Sequence, residues 1–138
     1  MTVSRLLGID YGSVRIGLAL SDPLKIISRP YKVILNRGEE TFQELEEIVS
    51  LNKVEKIILG LPLDKDGSDS EKTLEVRRFA EELSAALEIE VVLWDERYTS
   101  SKANSWLKEM GIDYRKSKTV IDKIAASIIL KDFLEGLQ

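Results

Sequence analysis

Apolar positions recur along this chain in two rhythms, and the switch between them outlines the fold. Arg5–Tyr11 reads as a short buried strand, Gly12–Ser13 as a turn, and Arg15–Ser21 as a second strand spaced for a hairpin. Ile26–Leu35 predicts a third strand, in which Pro30 marks an edge or a bulge because proline has no amide to give to a ladder. After Asn36-Arg37-Gly38 the rhythm becomes helical, with Phe42, Leu45, Ile48 and Val49 on one face. Lys56–Leu61 is a continuous apolar run, as in a parallel strand covered on both faces. Pro62–Asp69 is a polar loop. Ser68-Asp69-Ser70-Glu71 then fits a capping box opening a helix whose inner side carries Leu74, Phe79, Leu83 and Leu87. Glu90–Trp94 predicts a further strand, Thr99 caps a helix that ends at Gly111, and Lys118–Leu134 forms the last helix. The order βββαβαβαα predicts an α/β fold: a mixed five-stranded sheet with helices on both faces, in one domain spanning 1–138.

Composition narrows the chemistry. The 138 residues contain no cysteine and no histidine. A Cys/His zinc site, an iron–sulfur cluster, a thiolate nucleophile and a histidine general base are therefore excluded. What remains is carboxylates, Lys/Arg, hydroxyls and backbone amides, together with a hard metal bound through oxygen. The net charge of −4 does not suit a protein that coats nucleic acid indiscriminately. The charge is uneven, however. Residues 1–38 carry six basic side chains against two acids, residues 39–90 six against fifteen, and residues 91–138 eight against seven. This pattern fits either solvated acidic helices or a protein with an acidic back and a basic working face. The opening residues lack a basic stretch followed by an apolar one, and Ile124–Leu130 is too short to cross a bilayer. The expectation is a cytoplasmic protein with no membrane partner.

Three acidic positions stand out by location. Asp10 ends an apolar strand in Gly8-Ile9-Asp10-Tyr11-Gly12, where an ionised group costs several kcal/mol to bury uncompensated; the bland alternative is an Asp that only opens the hairpin turn. Asp95-Glu96-Arg97 follows Val91–Trp94 at a strand end, where α/β sheets bind ligands. Because neighbouring strand residues point to opposite faces, only one of Asp95 and Glu96 need look into a site. Asp122 borders the apolar side of the last helix, beside Ala125 and Ala126, which let that helix approach the sheet closely; alternatively it is a first-turn Asp favoured by the helix dipole. If the three meet, they suit Mg²⁺ or Mn²⁺ and the two-metal hydrolysis of a phosphodiester, which requires neither histidine nor cysteine.

Gly8-Ile9-Asp10-Tyr11-Gly12, Gly60-Leu61-Pro62, Asp95-Glu96-Arg97-Tyr98-Thr99-Ser100 and Asp122-Lys123-Ile124-Ala125-Ala126 occur in the order found in the YqgF family, which this chain resembles over essentially its whole length. Members are described as Holliday junction resolvases or pre-16S ribosomal RNA nucleases with a ribonuclease H-like fold. The resemblance implies a metal-dependent nuclease that processes pre-16S rRNA, or one that cuts branched DNA. It implies Asp10 as the carboxylate shared by two Mg²⁺ or Mn²⁺ ions, Glu96 as the second ligand with Asp95 as the weaker candidate, and Asp122 as the third. Gly12 would leave room for the substrate backbone, while Arg97, Lys118 and Lys123 would contact phosphates. An RNA processor could work as a monomer, whereas a junction cutter needs two sites and hence a homodimer.

Two other readings are open. The turn after the first strand also resembles the first phosphate loop of actin- and sugar-kinase-like ATPases, but 138 residues leave no room for their second lobe. Alternatively, the scaffold serves as a non-catalytic nucleic-acid-binding factor, with acids that bind no metal.

Overall fold

The computed structural model describes residues 4–96 and 118–136. Along them run β1 (Arg5–Asp10), β2 (Arg15–Ser21), β3 (Ser28–Leu35), α1 (Glu39–Leu51), β4 (Val54–Leu61), α2 (Glu71–Leu87), β5 (Glu90–Asp95) and α3 (Lys118–Gly136). The helix expected over 99–111 falls outside the described residues. The strands form one sheet in the order β3-β2-β1-β4-β5. The β1–β2 and β2–β3 pairs are antiparallel, and β1–β4 and β4–β5 are parallel. The sheet is thus mixed, as the sequence predicts, and its three parallel strands end at a common edge.

Alternation along each strand sorts side chains between two layers. Leu7, Ile9, Ile16, Leu18, Ile57 and Leu59 bury against Leu45 and Ile48 of α1 and Val76, Phe79 and Leu83 of α2. On the opposite face Leu6, Ala19 and Ile58 meet Ala126, Ile129, Leu130 and Phe133 of α3. There Trp94 meets Phe133 edge-on, with ring centroids 5.3 Å apart. Among the described residues no helix is long and apolar enough to cross a membrane.

Local hydrogen bonding explains where the elements depart from the sequence pattern. Strand β3 begins at Ser28 and not at Ile26, because the Asp22 carboxylate accepts the backbone amides of Leu24, Ile26 and Ile27 at 3.2, 2.7 and 2.8 Å. Both isoleucines belong to that turn and stay exposed. Pro30 does lie on an edge strand, beside a register shift opposite Leu18/Ala19. Helix α2 is capped by Ser70, two residues later than expected: its Oγ accepts from Thr73 N at 3.2 Å, and Thr73 Oγ1 accepts from Ser70 N at 3.0 Å. Leu74 is not on the inner side. It is 55% exposed, because at roughly 100° per residue it lies about 140° round the helix from Phe79.

Candidate active site

Parallel strands deliver their last residues to the same edge, so Asp10 at the end of β1 and Glu96 just past β5 arrive together. Asp10 shares the α3 face of β1 with Leu6 and Gly8 by alternation. Glu96 follows Trp94 by two residues and shares its face, whereas Asp95 points to the other side. The Glu96 backbone amide donates to Leu61 O at 3.2 Å, which holds the chain against the end of β4.

Missing side chains complete the arrangement. A Cβ on Gly60 would stand 2.5 Å from Glu96 Oε2, so the Glu96 carboxylate lies directly over that glycine. Gly60 follows Leu59, the β4 partner of Ile9, which sets Glu96 beside Asp10. A Cβ on Gly17 would stand 2.0 Å from the Asp122 carbonyl oxygen, and Gly17 is the β2 partner of Asp10. Helix α3 thus rests its backbone on β2 at the residue that carries Asp122. Ser28 Oγ also donates to Ser127 O at 2.7 Å, pinning the helix to β3.

The electrostatics follow from this crowding. Burial pushes the Asp10 carboxyl up from 3.8 to about 6; the Lys72 ammonium pulls it back, and Asp122 adds repulsion. Burial pushes Glu96 from 4.5 to about 8, with further repulsion from Asp10, a counter-pull from Lys72 and a contribution from Asp95. Asp122 is held differently: its Oδ2 accepts from Arg15 Nε at 2.7 Å in a half-buried ion pair. The structure therefore sets Asp10 and Glu96 side by side and Asp122 next to Asp10, with Arg15 engaging its carboxylate. Among the described residues no three acids close into one metal-holding cluster. The donor chemistry of Asp10 and Glu96 nevertheless fits a hard divalent cation, since two crowded carboxylates in a desolvated place are relieved by such a charge.

Both carboxyls hold protons more tightly in the folded chain than in the unfolded one. Their contribution to stability is therefore complete below about pH 4 and is lost as pH rises through about 6 and 8. In chelator, the melting temperature is expected to fall by roughly 15 °C between pH 5 and pH 8.5, corresponding to about 5 kcal/mol. Glu96→Gln should remove most of that slope. An equally steep profile in the variant would place the titration elsewhere.

Other candidates take different places. Gly12 is required by its own turn, since a Cβ there would stand 2.3 Å from the Arg15 carbonyl oxygen. Lys123 lies beside Arg15 in a groove along β3. Arg97 and the side chain of Lys118 fall outside what the structure describes. Two cations were not singled out by the sequence. Arg15 carries no local signal, because its partner is 107 residues away. Lys72 sits in the first turn of α2, and Thr73 Oγ1 ties that turn to Pro62 O at the end of β4. Its signal was a cation at a helix N-terminus, where the dipole disfavours one.

Comparison with known proteins identifies the family and the fold. A family model described as RuvX, Holliday junction resolvase, matches residues 4–136. Proteins named "Putative pre-16S rRNA nuclease" are similar in sequence: that of Maridesulfovibrio salexigens is 44% identical over 131 residues, covering 94% of this chain and 97% of the relative. That of Syntrophomonas wolfei is 40% identical over 133 residues, covering 96% and 94%. Among solved structures, Thermus thermophilus RuvC superposes with a TM-score of 0.55 at 10% identity, covering 91% of this chain and 92% of that one. The same protein in complex with a Holliday junction substrate gives 0.54 at 11% identity, covering 91% of each. At such identity the match speaks to fold alone, and the fold is RuvC-like, of the ribonuclease H-like kind.

Proposed function

The chain belongs to the RuvX family of Holliday junction resolvases, and from that premise we propose that it is a nuclease hydrolysing phosphodiester bonds in structured nucleic acid, with the 5′ end of pre-16S rRNA as its main substrate. The observation that carries this reading is the pairing of Asp10 and Glu96 at the strand ends, both with raised proton affinity. Asp10 and Glu96 would hold Mg²⁺ or Mn²⁺, with Asp122 completing the oxygen donors. Such an ion supplies the Lewis acidity that activates water and stabilises the departing oxygen of a phosphodiester.

The protein's own residues do the rest. Glu96, with its value near 8, carries a proton at neutral pH and gives it up as a cation arrives. The Lys72 charge acts on Asp10 and Glu96 and Arg15 pairs with Asp122, so two cations stand near the carboxylates, suited to phosphate oxygens. Gly60 keeps the floor beneath Glu96 clear. The work is cytoplasmic, where ribosomes are assembled, and one chain suffices for an RNA terminus.

Cleavage of a pre-16S transcript and of a four-way DNA junction, with Mg²⁺, with Mn²⁺ and in chelator, tests the proposal. Metal-dependent cutting of the RNA is expected. Cutting of the junction alone, by a dimer in solution, would move the assignment to branched DNA, and inertness toward both would end the nuclease reading. Calorimetry with Mn²⁺ at pH 7 should show about one proton released on binding, a release absent in Glu96→Gln. Binding without any release in the parent protein would remove Glu96 from the ligand set.

A further inference from the structure

Outside the carboxylate site, the described residues bring Arg15, Lys32 and Lys123 together along one groove of about 330 Å³, also lined by Tyr31 and Leu35. These three cations come from β2, β3 and α3, and no acid lines the groove with them. Two acids pair with these cations from outside its lining. Asp122 takes the Arg15 Nε at 2.7 Å, and Glu44 lies 3.9 Å from the Lys32 ammonium in an exposed pair, an interaction worth about 0–1 kcal/mol. The Lys32 ammonium also stands 5.8 Å from the centre of the Tyr31 ring. In a chain of net charge −4, such a concentration of positive charge runs against the average.

Arg15 links this groove to the carboxylates. Asp122 uses only the Nε of the guanidinium, so the planar fork is fixed while its terminal nitrogens keep their donors, which match phosphate geometry. We propose that this groove binds the phosphodiester backbone of the substrate on one side of the scissile bond, through Arg15, Lys32 and Lys123. The proposal rests on the nuclease reading and adds the path of the strand: from Asp10 and Asp122, past Arg15, across the outer edge of β3. Only the backbone is read there, so RNA and DNA are both accepted and sequence is not discriminated.

The test is equilibrium binding by fluorescence anisotropy, in chelator so that nothing is cut, with a hairpin RNA bearing a single-stranded extension and with a four-way DNA junction. The full chain and its Lys32→Gln/Lys123→Gln variant are compared at several salt concentrations, with Lys53→Gln, at the opposite end of β4, as control. The double variant is expected to bind about tenfold more weakly, with a salt slope shallower by roughly 1.4 to 1.8, while Lys53→Gln leaves both unchanged. Arg15→Gln should lower the slope by a further step, and Arg15→Lys should restore that step. Unchanged affinity and slope in the double variant, with binding in the parent, would overturn the groove and leave the nuclease reading standing. Failure of the parent chain to bind either nucleic acid would overturn both.

Discussion

Asp10→Asn is expected to lower metal-dependent cleavage at least about 10³-fold, a loss near 4 kcal/mol of transition-state stabilisation, while the chain stays folded and gains stability at pH 8. The two effects have opposite signs for one reason. Asp10 sits where burial and Asp122 both work against its charge. Asparagine keeps the shape and deletes that charge, so the folded state loses a repulsion and not a support. Glu96 benefits as well, because Asp10 is the second largest cause of its raised value. Deleting Asp10 should therefore bring Glu96 back toward the ordinary carboxylate range, and the pH slope of the melting temperature should flatten. Single-turnover cleavage and a melting series in chelator report the two consequences separately. Undiminished cleavage would remove Asp10 from the chemistry; a loss of stability at pH 8 would mean that the carboxylate is compensated. Asp22 provides the contrast. Its carboxyl is held below the usual range by backbone amides of its own turn, so Asp22→Asn should destabilise at neutral pH and leave cleavage alone.

Asp10 was legible because a charge at the end of an apolar strand is conspicuous whatever surrounds it. The choice between Asp95 and Glu96 was legible only as a choice. The strand period states that one of them faces the site, and the register, which pairs Leu61 with Asp95 and Gly60 with Trp94, supplies which. The mixed character of the sheet, the hairpin of the first two strands and the helices on both faces also followed from spacing, since hydrophobic period responds to burial and burial is what builds a sheet; the spatial order β3-β2-β1-β4-β5 came from the structure. Other features had no local signature. The Arg15–Asp122 pair joins residues 107 positions apart. The expected capping box at Ser68 matched the pattern as well as the actual cap, in which Thr73 and not Glu71 answers Ser70; two serines two residues apart offer the same chemistry, and tertiary anchoring of Thr73 to Pro62 decides between them. The three acids were legible as motif residues, but the capture of Asp122 by Arg15 was not.

Gly17→Ala is expected to cost more than about 3 kcal/mol and to reduce cleavage along with stability. Nothing about the backbone of Gly17 demands glycine through a left-handed angle; the demand comes from what lies above it. An added methyl would stand 2.0 Å from the Asp122 carbonyl oxygen, 2.4 Å from its carbon and 3.0 Å from Lys123 N. All three atoms are helix backbone and cannot rotate away, so α3 must lift from β2 as a body. That movement loosens the packing of Ala126, Ile129 and Leu130 on the sheet and carries Asp122 away from Asp10. Gly38→Ala gives the opposite kind of cost. Gly38 has φ +67°, and a Cβ there would meet nothing within 4 Å, so the penalty is backbone strain of about 1 kcal/mol with no effect on the site. Urea unfolding of both variants separates the mechanisms. A Gly17→Ala protein within about 1 kcal/mol of wild type would mean that the last helix does not rest on β2 at this point, and the placement of Asp122 beside Asp10 would fall with it.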